Sequence, residues 1–301
     1  MKLKIKSWSL ISVLCFSLMA LNACSSNNLS PEEVMQATWS KTINAGTVYM
    51  LAKLQLHNVT IIGAPKNALS LITSPNEQMG GIGEFYLKDN DGSFTLDTPN
   101  FGSIELDILQ GSFYMHFPGV LLGTKLGQKP WLYVDSNTLG SLKNPALVAI
   151  AQLFIVMDPA YSLNYLKNFS GPVSIAGKSK VSGVTCTLYN YTINIEQAAS
   201  NWSGVTKAVL LEASQVLHTN MQNVTSCIDS SGIIRSNAFT INLNNVSYPV
   251  PGAPTNTEKL QGSMTITQLF NQYKQVSFIT KAPPSNQVEN IHDFAQLLAL
   301  S

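Results

Sequence analysis

Thr47-Val48-Tyr49-Met50-Leu51-Ala52-Lys53-Leu54-Gln55-Leu56-His57 is the stretch on which the fold class turns. Val48, Met50, Ala52, Leu54 and Leu56 fall on one side of a period of two, and Thr47, Tyr49, Leu51, Lys53, Gln55 and His57 on the other. Successive side chains of a strand point to opposite faces, so the pattern is that of a half-buried strand with a mixed face toward solvent. The residues just before it are of another kind. Ser30-Pro31-Glu32-Glu33 offers an N-cap serine, a proline at the first helical position and a glutamate able to close a capping box. The pattern predicts a helix over 31–44, with Val34, Ala37, Thr38 and Ala45 along one face and Gly46 as its stop.

Strand signals continue C-terminally. Segments 83–88 and 93–97 flank Asp89-Asn90-Asp91-Gly92, which has hairpin-turn composition. Ile104, Leu106 and Ile108 alternate with Glu105 and Asp107, and strands over 112–117 and 131–135 follow. Short strands joined by short turns pair antiparallel with their neighbours. The segment 146–157 then runs Ala-Leu-Val-Ala-Ile-Ala-Gln-Leu-Phe-Ile-Val-Met, apolar on nearly every side. Such a helix is buried, either as plain core or as the wall of a greasy cavity. Asp158-Pro159 starts another helix, with Leu163 and Leu166 at helical spacing. Strands are predicted again over 173–180, 184–195, 223–229, 233–243, 259–270 and 276–280, with helices over 205–218 and 290–300. The expected class is α+β: one domain over 31–301, in which a large antiparallel sheet encloses a few helices.

The N-terminus carries a different message. Lys2, Lys4 and Lys6 precede an apolar run from Trp8 to Leu21, which ends in Leu21-Asn22-Ala23-Cys24. A basic start, a short apolar run and small residues before the break mark a signal peptide, here expected over 1–23. The Leu-Asn-Ala-Cys ending resembles the bacterial lipobox, in which the cysteine thiol takes a diacylglycerol and becomes the mature N-terminus. Cys24 is the expected lipidation site, followed by a polar tether over 24–30. The expected location is the extracytoplasmic face of a cell membrane, held there by the lipid anchor.

Composition narrows the rest. The 301 residues include 18 Lys and Arg against 17 Asp and Glu, with 45% hydrophobic and 12% charged residues. No basic cluster exists for phosphate neutralisation, so a nucleic-acid partner is excluded. High hydrophobicity with little charge also excludes a disordered chain. Once Cys15 leaves with the signal and Cys24 is acylated, Cys186 and Cys227 remain. An even remainder in an exported chain suggests one disulfide; two buried free thiols are the alternative.

No catalytic constellation emerges. His57, His116, His218 and His292 show no metal-ligand spacing, and no Gly-x-Ser-x-Gly elbow occurs. Gly119 to Lys125 has the wrong spacing for a phosphate loop. Glu105 and Asp107 share one strand face, which reads as a solvated face. No enzyme activity, metal or cofactor is expected.

Several blocks together resemble the mycobacterial LppX/LprA/LprF/LprG lipoproteins, whose fold is similar to that of the carriers LolA and LolB. They are Trp131-Leu132-Tyr133-Val134-Asp135; Asp158-Pro159 through Leu163, Leu166, Ile175-Ala176-Gly177 and Val181-Ser182-Gly183-Val184 to Cys186, Tyr189 and Ile193; Ile228-Asp229-Ser230-Ser231-Gly232-Ile233-Ile234-Arg235; and Phe270-Asn271-Gln272-Tyr273 with Ala282-Pro283-Pro284-Ser285. The resemblance implies a half-barrel sheet wrapped over helices, around a cavity that takes a lipid or lipoglycan. Under it, the 146–157 segment becomes cavity wall, and Leu147, Ile150, Phe154 and Leu163 are the expected lining residues. It also allows an envelope transporter as partner. The alternative function is an envelope sensor or regulator that binds a protein partner.

Overall fold

The structure is a computed structural model and describes residues 29–62, 74–98, 102–110, 112–116, 120–121, 124–125, 129–134, 158–201, 207, 210–211, 214, 221–244, 246–250, 253–274 and 280–290. The expected signal peptide, Cys24, the apolar segment 146–157 and nearly all of the terminal helix over 290–300 lie outside the described residues.

The first element is helix α1, Pro31–Ile43. Its capping box forms as the sequence predicts: the Glu33 amide donates to Ser30 Oγ at 3.2 Å, and the Ser30 amide donates to Glu33 Oε2 at 2.7 Å. The buried stripe is Met35, Thr38 and Thr42; it keeps Thr38 from the expected face, beside which Val34 is partly buried, and adds Met35 and Thr42. Two threonines can face inward because their hydroxyls are used. Thr38 donates to the Val34 carbonyl at 2.8 Å, and Thr42 Oγ1 accepts from the Ile234 amide at 3.2 Å.

Strands β1 (Thr47–Ile62), β2 (Gln78–Tyr86), β3 (Asp91–Thr98), β4 (Gly102–Leu109) and β5 (Ser112–His116) form a meander. A two-strand hairpin of β6 (Val120–Leu121) and β7 (Thr124–Lys125) intervenes before β8 (Trp131–Val134) returns beside β5. The β2–β3 turn occupies Leu87 to Asn90, two residues earlier than its composition suggests. Leu87 is drawn into the core, where its amide donates to the Gly46 carbonyl at 3.3 Å. Helix α2 (Pro159–Asn164) and a single 3-10 turn then lead to β9 (Phe169–Val181) and β10 (Val184–Asn194). The tight turn between these two strands places Ser182 and Gly183 at φ 47° and 84°. Helix α3 (Ile195–Ser200) follows, and the described part of the 205–218 stretch (Lys207, Leu210, Leu211, Ser214) is helical. The chain finishes with β11 (Met221–Asp229), β12 (Ile234–Asn242), β13 (Val246–Val250), the long β14 (Ala253–Lys274) and β15 (Val288–Asn290).

One open sheet gathers these strands in the order β15-β8-β5-β4-β3-β2-β1-β14-β12-β11-β10-β9, with β13 branching onto β14. The order does not close on itself, and the fold is α+β. The expectation of a purely antiparallel sheet needs one correction: β15 lies parallel to β8. Its three residues run over Val288–Asn290, so Asn290 starts no helix but ends a strand. A short late strand of this kind shields the backbone of an edge that the meander leaves open.

The seam of the molecule is β1 against β14, which joins two meanders far apart in sequence. Their register slips between His57 and Thr60, where Asn58 and Val59 oppose Gly262 alone. Two residues against one is a β-bulge, and it turns Val59 inward. Asn58 takes φ 52° and Gly262 φ 110°. A Cβ on Gly262 would stand 2.7 Å from the carbonyl oxygens of both His57 and Asn58, so only glycine fits.

Candidate functional site

The inner face of the sheet is built from cross-strand rows, the unit by which sheets are stabilised. Val48, Phe85, Gly92, Ile108, Phe113 and Val134 make one row across β1, β2, β3, β4, β5 and β8. The next is Met50, Gly83, Phe94, Leu106, Met115 and Leu132, in the same order. Every side chain in these rows is buried. The glycines are spaces for rings. A Cβ at Gly81 would run into Phe94 and one at Gly92 into Phe85, while one at Gly83 would stand 2.8 Å from both rings. The two phenylalanines thus lie flat across neighbouring strands, centroids 6.4 Å apart.

Beyond the seam the same face changes chemistry. One row, Leu54, Ile266, Phe239, Val224 and Tyr191, stays largely apolar. The adjacent row carries Gln268, Asn237 and Ser226, all fully buried. Buried polar groups need partners. Tyr191 and Ser226 share a hydrogen bond of 2.9 Å, Ser226 donates to Asn237 Oδ1 at 2.5 Å, and Asn237 Nδ2 reaches the Ser162 carbonyl on α2 at 3.5 Å. Burial pushes the Tyr191 phenol far above the ordinary range, so it acts as a neutral hydroxyl. This polar seam fixes α2 against the sheet at one register.

Leu163 sits on α2, fully buried within the main apolar cluster. Leu147, Ile150 and Phe154, its expected companions, lie outside the described residues. Helix α1 is fixed at both ends: the Val173 amide of β9 donates to Glu32 Oε1 at 3.0 Å, and Thr42 receives Ile234. The Val173 amide is the main reason that the Glu32 carboxyl is held below its usual range. Between those ends the Lys167 ammonium stands 3.2 Å from the centre of the Trp39 ring.

The outer face is mixed, as the alternation of β1 implies. Cys186 and Cys227 lie there on adjacent strands, joined by a disulfide with their Cα atoms 5.4 Å apart. Val181, Leu188 and Leu269 pack around them. Asp229, at the end of β11, accepts from the Ser231 and Ile233 amides at 2.8 and 3.0 Å and from Arg235 at 2.6 Å. Glu105 is exposed, whereas burial raises the carboxyl of Asp107 above its ordinary range, with Glu105 adding to the rise. His116 stands 4.0 Å from Glu105 and stacks obliquely on Trp131 at 5.0 Å. His218 and His292 lie outside the described residues. Among the described residues no group of three His, Cys, Asp or Glu side chains could hold a metal, and no helix is long and apolar enough to cross a membrane.

One feature has no local signature: an open groove of about 620 Å³ across β11, β12, β14 and β1. His57, Asn223, Thr225, Thr240, Asn242 and Ser263 line it. These positions alternate with the inward Leu56, Val224, Phe239 and Ile241, and no Asp, Glu, Lys or Arg is among its lining residues. Periodicity marks such positions only as solvent-facing, because their adjacency is set by long-range register.

No protein-family model matches the chain, and neither does any curated protein. Among solved structures it is similar to LppX, a lipoprotein of Mycobacterium tuberculosis, at 9% identity and a TM-score of 0.39, over 82% of this chain and 98% of that one. It is similar to LprF from Mycobacterium bovis at 12% identity and a TM-score of 0.38, over 83% of this chain and 96% of that one. It is also similar to MucB at 9% identity and a TM-score of 0.33, over 84% of this chain and 62% of that one.

Proposed function

We propose that the protein is an extracytoplasmic lipoprotein, anchored through Cys24, that binds lipids or lipidated molecules between the inner face of its sheet and the helices that cover it. The observation that carries this reading is the inner face itself. Its apolar rows run without a charged residue from Val48 and Met50 to Val134 and Leu132, on a sheet that stays open. Helices closing an open apolar face can part from it without breaking the strand ladder, which is what entry of an acyl chain requires. The gain is large enough: a 16-carbon chain offers about 10 kcal/mol gross at about 0.8 kcal/mol per methylene, before ordering costs. Leu147, Ile150 and Phe154 belong to this proposal as wall residues, with Leu163 beside them. The Cys186–Cys227 bridge belongs to it as well, since an exported chain meets an oxidising compartment. The protein has no catalytic role in this reading.

The test uses the full chain with Cys24→Ser, so that membrane lipid carried by the anchor does not intrude. Its organic extract, read by mass spectrometry, should contain on the order of one non-covalent acyl lipid per chain, as an enclosed site requires. Lipid-free protein that also takes up no acyl lipid from vesicles would overturn the proposal.

A further inference from the structure

The outer groove is a second site, on the opposite side of the sheet from the acyl-binding face. Its hydrogen-bond accounting is lopsided. Asn223 Oδ1 accepts from Thr192 Oγ1 at 3.1 Å, Asn242 Oδ1 from the Asn244 amide at 2.9 Å, and Asn244 Oδ1 from the Gly262 amide at 2.9 Å. Each carboxamide is therefore pinned by its oxygen. Among the described residues none of the three Nδ2 groups has a hydrogen-bond partner. A primary amide carries two donors on that nitrogen, so the three exposed side chains present three pairs of N–H donors at the groove. Hydroxyls complete the surface: Thr265 Oγ1 lies 3.1 Å from His57 Nε2 and 3.0 Å from Thr240 Oγ1, while Thr225 donates to Asn190 Oδ1 at 2.7 Å.

These features select a ligand class. Without an arginine or lysine in the lining, a phosphate or carboxylate has no permanently charged partner. The lining is mainly amides and hydroxyls, with Ala238 and Phe239 as its apolar members, where a lipid tail would need apolar walls throughout. What fits is an uncharged ligand with many oxygens, able to accept from amides and to exchange hydrogen bonds with threonine and serine hydroxyls. At about 620 Å³ the groove lies within the usual size of ligand sites, about 300–1,000 Å³. We propose that this groove binds a neutral oligosaccharide, with Asn223, Asn242 and Asn244 as its amide donors. The inference stands apart from the acyl-binding proposal, because the two sites lie on opposite faces.

The test is titration of the full chain, Cys24→Ser, with neutral tetrasaccharides of glucose, galactose and N-acetylglucosamine, read by saturation-transfer NMR and calorimetry. Tetragalacturonate serves as the anionic probe. At least one neutral tetrasaccharide should bind. Asn223→Ala should raise its Kd about tenfold, the effect of one or two lost hydrogen bonds. Thr240→Trp, which fills the groove, should abolish binding, and Thr95→Ala on β3 should leave it unchanged. Should Thr240→Trp not fold, Asn223→Ala decides alone. Failure of every neutral tetrasaccharide to bind folded protein, binding of tetragalacturonate only, or an unchanged Kd in folded Asn223→Ala would each overturn the proposal. Acyl-lipid content should be the same in all these variants, which separates this outcome from that of the lipid test.

Discussion

Gly81, Gly83 and Gly92 show how single residues hold the inner face together. Each leaves room for a phenylalanine ring to lie across the neighbouring strand, so the cost of a side chain there is a displaced ring. Gly81→Val should lower stability by about 1–3 kcal/mol through overpacking against Phe94, measured by urea unfolding. An unchanged midpoint would show that the ring moves freely. Asp107 supplies a second prediction. Burial lifts its carboxyl above the ordinary value of 3.8, against a hydrogen bond from Ser93 and helped by Glu105. An acid with a raised pKa in the folded state holds its proton more tightly when folded. The stability it contributes is full below the unfolded pKa and is lost as pH rises through the raised one. Asp107→Asn removes that loss. The variant should melt above the parent at neutral pH, and the two should converge toward about pH 3, where both forms of the residue are uncharged.

At the scale of elements, what was legible in the sequence was local. The capping box of α1, the alternation along β1 and the turn at Ser182-Gly183 were all readable, because each depends on residues a few positions apart. The buried face of α1 is legible only in part: Thr38 and Ala45 are buried and Val34 packs against the core, but Met35 and Thr42 carry no such signal. Thr42 faces inward only because the Ile234 amide, 192 residues away, needs an acceptor. The parallel strand β15 was equally hidden, since nothing in Val288–Asn290 announces that its partner is Trp131–Tyr133. The outer groove escaped for the same reason: β11, β12, β14 and β1 supply its residues, and only register brings these together. The cysteines are intermediate. Counting leaves Cys186 and Cys227 as the remaining pair, but their proximity comes from the β10–β11 pairing. Non-reducing peptide mapping of the envelope-purified protein should recover the two joined in one peptide pair. Their separation of 41 residues makes the link worth about 4 kcal/mol in the chain-entropy picture. Two freely alkylated thiols would refute it.

The whole molecule is two meanders joined along one seam, with a proposed lipid anchor at one end of the chain. Cys24→Ser should move the protein from the membrane fraction to the soluble one and abolish palmitate labelling. Persistence in the membrane with label would sink the anchor. The seam has a further consequence. His57 and Thr265, in contact across it, are 208 residues apart in sequence. At about 5–20 residues per second of synthesis, β1 emerges roughly 10–40 s before its second neighbour exists. During that interval β2 can cover one side of β1, while the amides and carbonyls of the other side stay open to whatever strand arrives. The first strand to leave the ribosome is among the last to be secured. A factor that guards that free edge until the whole chain has been exported would raise the yield of folded protein without altering its stability at all.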